Sequence, residues 1–164
     1  IWIAFNPKEE AGIAPKIVER GLRRVGKYAD GWQTDGIKTE TFTRRFDQIK
    51  EYAAKEGRDP SKLESCLHLM VNINENREAA YKEATAYLAR YYGVGNITRE
   101  RTEVWLAYGS PETVAEKIQS YIDAGCTTPV VRFVSQDLKG QLSRCIEEVI
   151  PKLSGIERHV PAAA

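Results

Sequence analysis

Two periods of hydrophobic residues succeed one another along the chain, one of about two residues and one of about 3.6, and together they predict alternating strands and amphipathic helices. Ile1 to Phe5 is an unbroken apolar run and reads as a strand. After a loop closed by Pro15, apolar residues at Ile17, Gly21, Leu22, Val25, Tyr28 and Ala29 keep helical spacing, with Glu19, Arg20, Arg23, Arg24 and Lys27 on the wet side. A brief strand, Gly31 to Thr34, follows. Phe42, Phe46, Ile49 and Ala53 then mark a second helix that stops at Gly57. From Leu67 to Ile73 every other residue is aliphatic, which is the signature of a strand, and a helix runs on from Arg77 to Tyr92. The polar stretch between Gly93 and Tyr108, with Trp105 inside it, predicts an extra helix. Ser110-Pro111-Glu112 is a helix start by capping, fixed φ and dipole complementarity, and Gly125 ends that helix. A fourth strand, Pro129 to Val134, precedes a last helix striped with Leu138, Leu142, Cys145, Ile146, Val149, Ile150 and Leu153. Residues 154–164 are expected to form a flexible tail.

This is the order of βα units with a mainly parallel sheet, so the fold class is α/β. Four units in 164 residues leave about 41 each, whereas a closed (β/α) barrel of eight takes ~250 residues. The pattern fits a small open sheet or half of a barrel of the TIM type.

Composition narrows the partners. Lys and Arg number 24 against 23 Asp and Glu, which calls for neither nucleic acid nor an anionic membrane. The longest apolar run is far short of the ~20 residues of a membrane span. Cys66, Cys126 and Cys145 form no CxxC and leave one thiol unpaired under any pairing, so a reducing cytoplasm is expected. No signal peptide is visible. The chain opens without Met, directly on a strand, which suggests a piece of a longer polypeptide.

Candidate chemistry is sparse. With His68 and His159 the only histidines, a metal cluster or a serine hydrolase triad lacks parts, and no phosphate loop is present. Cys66 and His68 share a strand face, although a buried thiol beside a core histidine is the simpler reading. The basic helical faces are interrupted by Glu19, Asp47 and Glu51 and read as solvated surface. Arg132 is more telling, because a charge inside Val130-Val131-Arg132-Phe133-Val134 needs either an internal ion pair or a bound anion. Trp32, at a strand end, offers a flat apolar wall for a ligand cleft or a core filler.

The order of segments resembles the C-terminal half of the luciferase-like flavin-dependent monooxygenase and oxidoreductase family. The likeness is carried by Ile1-Trp2-Ile3-Ala4, Lys27-Tyr28-Ala29-Asp30-Gly31-Trp32, Gly57-Arg58-Asp59-Pro60, the stretch from Tyr108-Gly109-Ser110-Pro111-Glu112 to Ile118, Asp123-Ala124-Gly125, and Val131-Arg132-Phe133 through to Leu153. It covers nearly all of residues 1–153 in collinear order. What the resemblance implies is a (β/α) barrel, here about four βα units. Such a barrel binds FMN or a deazaflavin at its strand C-terminal ends and acts on a small organic substrate.

By the same resemblance, Ala4, Phe5 and Asn6 match a stretch that approaches the cofactor, but Phe5-Asn6-Pro7 stands where family members often carry a Gly pair. Trp32, Gln33 and Thr34 match the next strand end, and Lys38 and Arg132 fall where relatives hold anionic groups. It names no catalytic acid or base. The strands missing from the first half supply much of the family's flavin site, so a non-catalytic half-barrel and a small α/β anion-binding protein are the alternative functions. Two open sheet edges predict a homodimer that completes an eight-stranded barrel.

Overall fold

The computed structural model describes residues 1–8, 12–95 and 97–155; His159 and residues 156–164 of the expected tail lie outside them. Its elements run β1 (Trp2–Ala4), α1 (Pro15–Tyr28), β2 (Gly31–Asp35), α2 (Thr39–Lys55), β3 (Glu64–Ile73), α3 (Arg77–Tyr92), α4 (Arg99–Trp105), β4 (Leu106–Gly109), α5 (Pro111–Asp123), β5 (Thr128–Phe133) and α6 (Leu138–Arg144). α6 continues as a π turn over Cys145–Val149 and a 3-10 turn over Ile150–Lys152. No helix among the described residues is long and apolar enough to cross a membrane.

Local chemistry sets the helix ends where the sequence places them. Ser110 Oγ accepts from the Thr113 N–H and Pro111 occupies the first position of α5. Asn76 caps α3, which closes on the left-handed Gly93. α1 and α2 approach so closely that a Cβ on Gly26 would lie 2.6 Å from the Ile49 carbonyl oxygen, so a glycine is needed at that crossing.

All strand pairs are parallel. β2 pairs with β1 and with the first half of β3. Cys66 to His68 pair with both β2 and β5, and Met70 and Val71 with both β4 and β5. β3 is therefore forked: β2 and β4 follow one another along one edge, and β5 takes the other. The sheet has five strands, one more than the pattern predicts. β4 was hidden because its four residues, Leu-Ala-Tyr-Gly, are too few to show a period and are buried throughout.

Parity then divides the sheet into two layers. Trp32, Leu67, Leu69, Val71 and Ile73 face α1, α2 and α5 and build the main core with Phe42, Phe46 and Tyr121. The opposite, concave face carries Trp2, Ala4, Gln33, Cys66, His68, Met70, Val130 and Arg132 by register. Over its C-terminal part lies α3, whose Ala80, Ala84 and Leu88 pack on Met70, Leu106 and Tyr108. Glu83 locks α3 to the strand ends. Its carboxylate accepts from Asn72 Nδ2, Ser135 Oγ and the Gln136 N–H at 2.6–3.0 Å.

Candidate functional site at the strand C-terminal ends

Strand parity separates the residues expected to meet a cofactor. Ala4 and Gln33 are register partners on the concave face. Phe5 turns the other way: its ring lies against α1, where a Cβ on Gly21 would collide with it. Asn6 Oδ1 accepts from Thr34 Oγ1 at 2.9 Å, tying the exit of β1 to β2. Thr34 is buried on the helix side. Trp32 is fully buried, tilted against Phe42 with ring centres 5.2 Å apart and stacked on Phe46 at 6.3 Å, and its indole N–H donates to the Phe5 carbonyl at 2.8 Å. The expected ligand wall is thus corrected to a core filler, because position 32 has the parity of the helix-facing layer.

On the concave face Gln33 Nε2 lies 2.9 Å from His68 Nε2. The contact joins the Gln33 side-chain amide to the imidazole across β2 and β3. The half-buried His68 ring is engaged with Gln33. Cys66 is buried and desolvation raises its thiol pKa, so it is poorly suited to act as a nucleophile. All three cysteines are free and buried.

Arg132 finds no carboxylate within ion-pair distance among the described residues. Its guanidinium stacks 4.1 Å from the centre of the Tyr91 ring. Tyr91 belongs to an aromatic run, Tyr87–Tyr91–Tyr92–Trp105, with successive centroids 4.9–6.5 Å apart. This wall was missed in the sequence. Its visible signal is the spacing of Tyr87 and Tyr91 one helical turn apart.

Lys38 sits apart from Arg132, exposed at the start of α2. There a cavity of about 430 Å³ opens beside the C-terminal end of β2, lined by Lys8, Gly36, Lys38, Thr41, Arg101 and Trp105 among others. The loop carrying Lys38 is held from beneath. Tyr121 Oη donates to the Ile37 carbonyl at 2.6 Å, and burial pushes the phenol pKa up to about 12, so it remains a donor through the neutral range. Tyr121→Phe leaves a buried carbonyl unpaired and should lower stability by about 1–3 kcal/mol, read from urea denaturation. An unchanged midpoint would show that the bond carries no weight.

A partial (β/α) barrel with polar groups at its strand C-terminal ends defines the class. The model of the luciferase-like monooxygenase family matches residues 17–128, and the chain belongs to that family. Among solved structures it is similar to the coenzyme F420 dependent tetrahydromethanopterin reductase of Methanopyrus kandleri (17% identity, TM-score 0.67, covering 92% of this chain and 50% of that one). An F420-dependent secondary alcohol dehydrogenase, solved with an F420-acetone adduct, matches at 14% identity and TM-score 0.73 over 93% and 48% of the two chains. The oxygenating constituent of 3,6-diketocamphane monooxygenase from the CAM plasmid of Pseudomonas putida, solved with FMN, matches at 17% and 0.61 over 96% and 50%. The chain spans about half the length of these structures. No curated protein matches it at a significant level.

Proposed function

We propose that residues 1–153 are the C-terminal half of a (β/α)-barrel oxidoreductase that uses FMN or a deazaflavin on a small organic substrate. The observation that carries this reading is the concave face of a sheet belonging to this family, on which Arg132 lies against the Tyr87–Tyr91 wall toward the strand ends and Gln33 lies beside His68. A planar ring with a polar edge fits such a surface, because the tyrosine rings supply apolar area and Gln33 and Arg132 supply donors. When bound, the cofactor supplies hydride transfer or oxygen activation. Ala4 and Gln33 are the residues of the expected set that would lie along it, Phe5, Asn6, Trp32 and Thr34 support them from the helix side, and Lys38 and Arg132 would meet anionic groups.

In the isolated chain a second copy takes the place that the N-terminal half occupies in a full-length barrel, and the free buried thiols suit a reducing cytoplasm. Retention of FMN or coenzyme F420 by the folded protein on size-exclusion chromatography, followed by the visible absorbance of the protein peak, tests the reading. Co-elution of either is expected. Retention of neither by a protein with native circular dichroism would overturn it in favour of a half-barrel without redox activity.

A further inference from the structure

The end of α3 that lies over the concave face leaves aromatic rings in solvent. Tyr91 is 56% exposed and Tyr92 43%. A single exposed tyrosine is ordinary, whereas a run of rings in mutual contact marks a surface that meets something. Each ring here is held by its neighbours. Tyr87 and Tyr91 keep their planes within 7° of parallel with centres 6.5 Å apart, Tyr92 meets Tyr91 edge-on at 4.9 Å, and Trp105 stacks on Tyr92 at 5.5 Å.

Arg132 fixes the platform from the sheet side. Its guanidinium reaches from β5 to 4.1 Å from the Tyr91 ring centre, so Tyr91 is clamped between a strand and its own helix while more than half of it stays open. A ligand that stacks on a ring already held in this way has little side-chain freedom to take away, which favours binding. The concave face also has room for it. β3 separates β2 from β5, so Arg132 stands at least two strand spacings, roughly 10 Å, from Gln33. A second ring therefore has a place of its own beside the one that the redox reading lays along Ala4 and Gln33.

We infer that the Tyr91–Tyr92 platform binds the substrate through a planar aromatic ring, which stacks on Tyr91. The inference rests on the redox reading for the reaction that the ligand undergoes and deepens it by making the substrate an aromatic compound, while the binding itself needs no cofactor. Stacking adds to the burial of apolar area and is worth about two- to tenfold in affinity, so a saturated ligand of the same outline is the discriminating comparison.

The test is a titration of the 164-residue chain, its tyrosine rings labelled with 13C, with 2-naphthol and separately with decahydro-2-naphthol, which keeps the two fused rings without a π face. A saturable shift of the Tyr91 ring resonances is expected with 2-naphthol, with a dissociation constant at least twofold below that of the saturated compound. Tyr91→Leu assigns the signals and should abolish the preference, because it keeps apolar volume and removes the ring, whereas Tyr91→Phe should retain it. Tyr28→Leu, at an equally exposed tyrosine on α1, should leave it unchanged. Equal affinities in the wild type, Tyr91 resonances that 2-naphthol does not move, or a preference that survives Tyr91→Leu would overturn the inference. Displacement of 2-naphthol by FMN or coenzyme F420 would overturn it as well, since the platform would then belong to the cofactor's ring. A 2-naphthol response in a protein that retains neither FMN nor F420 would uphold the aromatic site and sink the redox reading; retention of a cofactor with no response to 2-naphthol would do the reverse.

Discussion

Trp32→Ala should cost about 3–5 kcal/mol, the largest loss expected of any single side chain in this protein. Total stabilities of domains of this size are about 5–15 kcal/mol, so the variant will stand at the edge of unfolding. Trp32 is fully buried between the sheet and α2, packed on the rings of Phe42 and Phe46. Its N–H also holds the Phe5 carbonyl, so removing the ring frees the exit of β1. Trp32→Phe keeps most of the volume but loses that bond, and should fall between wild type and alanine. Urea denaturation followed by circular dichroism decides the matter. A loss under about 1 kcal/mol in the alanine variant would mean that the ring is not the centre of the core.

A species near twice the 18.5 kDa chain mass should dominate at micromolar concentration in sedimentation equilibrium. β1 pairs only with β2 and β5 only with β3 among the described residues, so each leaves one strand edge open. The helices beside those edges are apolar where an isolated domain would be polar. Leu138, Leu142, Ile146 and Ile150 recur every four residues along α6 and its continuation, all of them exposed, and Ile17 and Tyr28 are exposed on α1. Trp2 is exposed on the concave face. In a two-fold pair, β1 of each copy lies beside β5 of the other and α1 beside α6, which covers both stripes at once and closes the two sheets into one barrel. Leu142→Glu combined with Ile146→Glu should convert the dimer to monomer without loss of helix signal. A stable wild-type monomer would sink the arrangement.

Much of this architecture was legible before any coordinates. The α1, α2, α3 and α5 spans follow from local signals, because a cap, a fixed proline φ or a left-handed glycine acts within a few residues of its own position. The family likeness was legible too, since it rests on the order of short motifs, and the family match bears it out. The layer to which each strand residue belongs was not. In a parallel sheet both faces are buried, so the five residues of β2 are too few to show which face is core, and the packing of α2 on one side decides that Trp32 is core and Gln33 faces the concavity. The same holds for the fork of β3, for α3 lying over the concave face, and for the meeting of Lys8, Gly36 and Trp105. These depend on contacts between residues up to 69 positions apart, and no local rule of propensity or spacing reaches across such a separation. Sequence alone determined the elements and the family; tertiary structure decided which side of each strand meets a ligand, because that choice is made by the neighbouring layer and not by the strand.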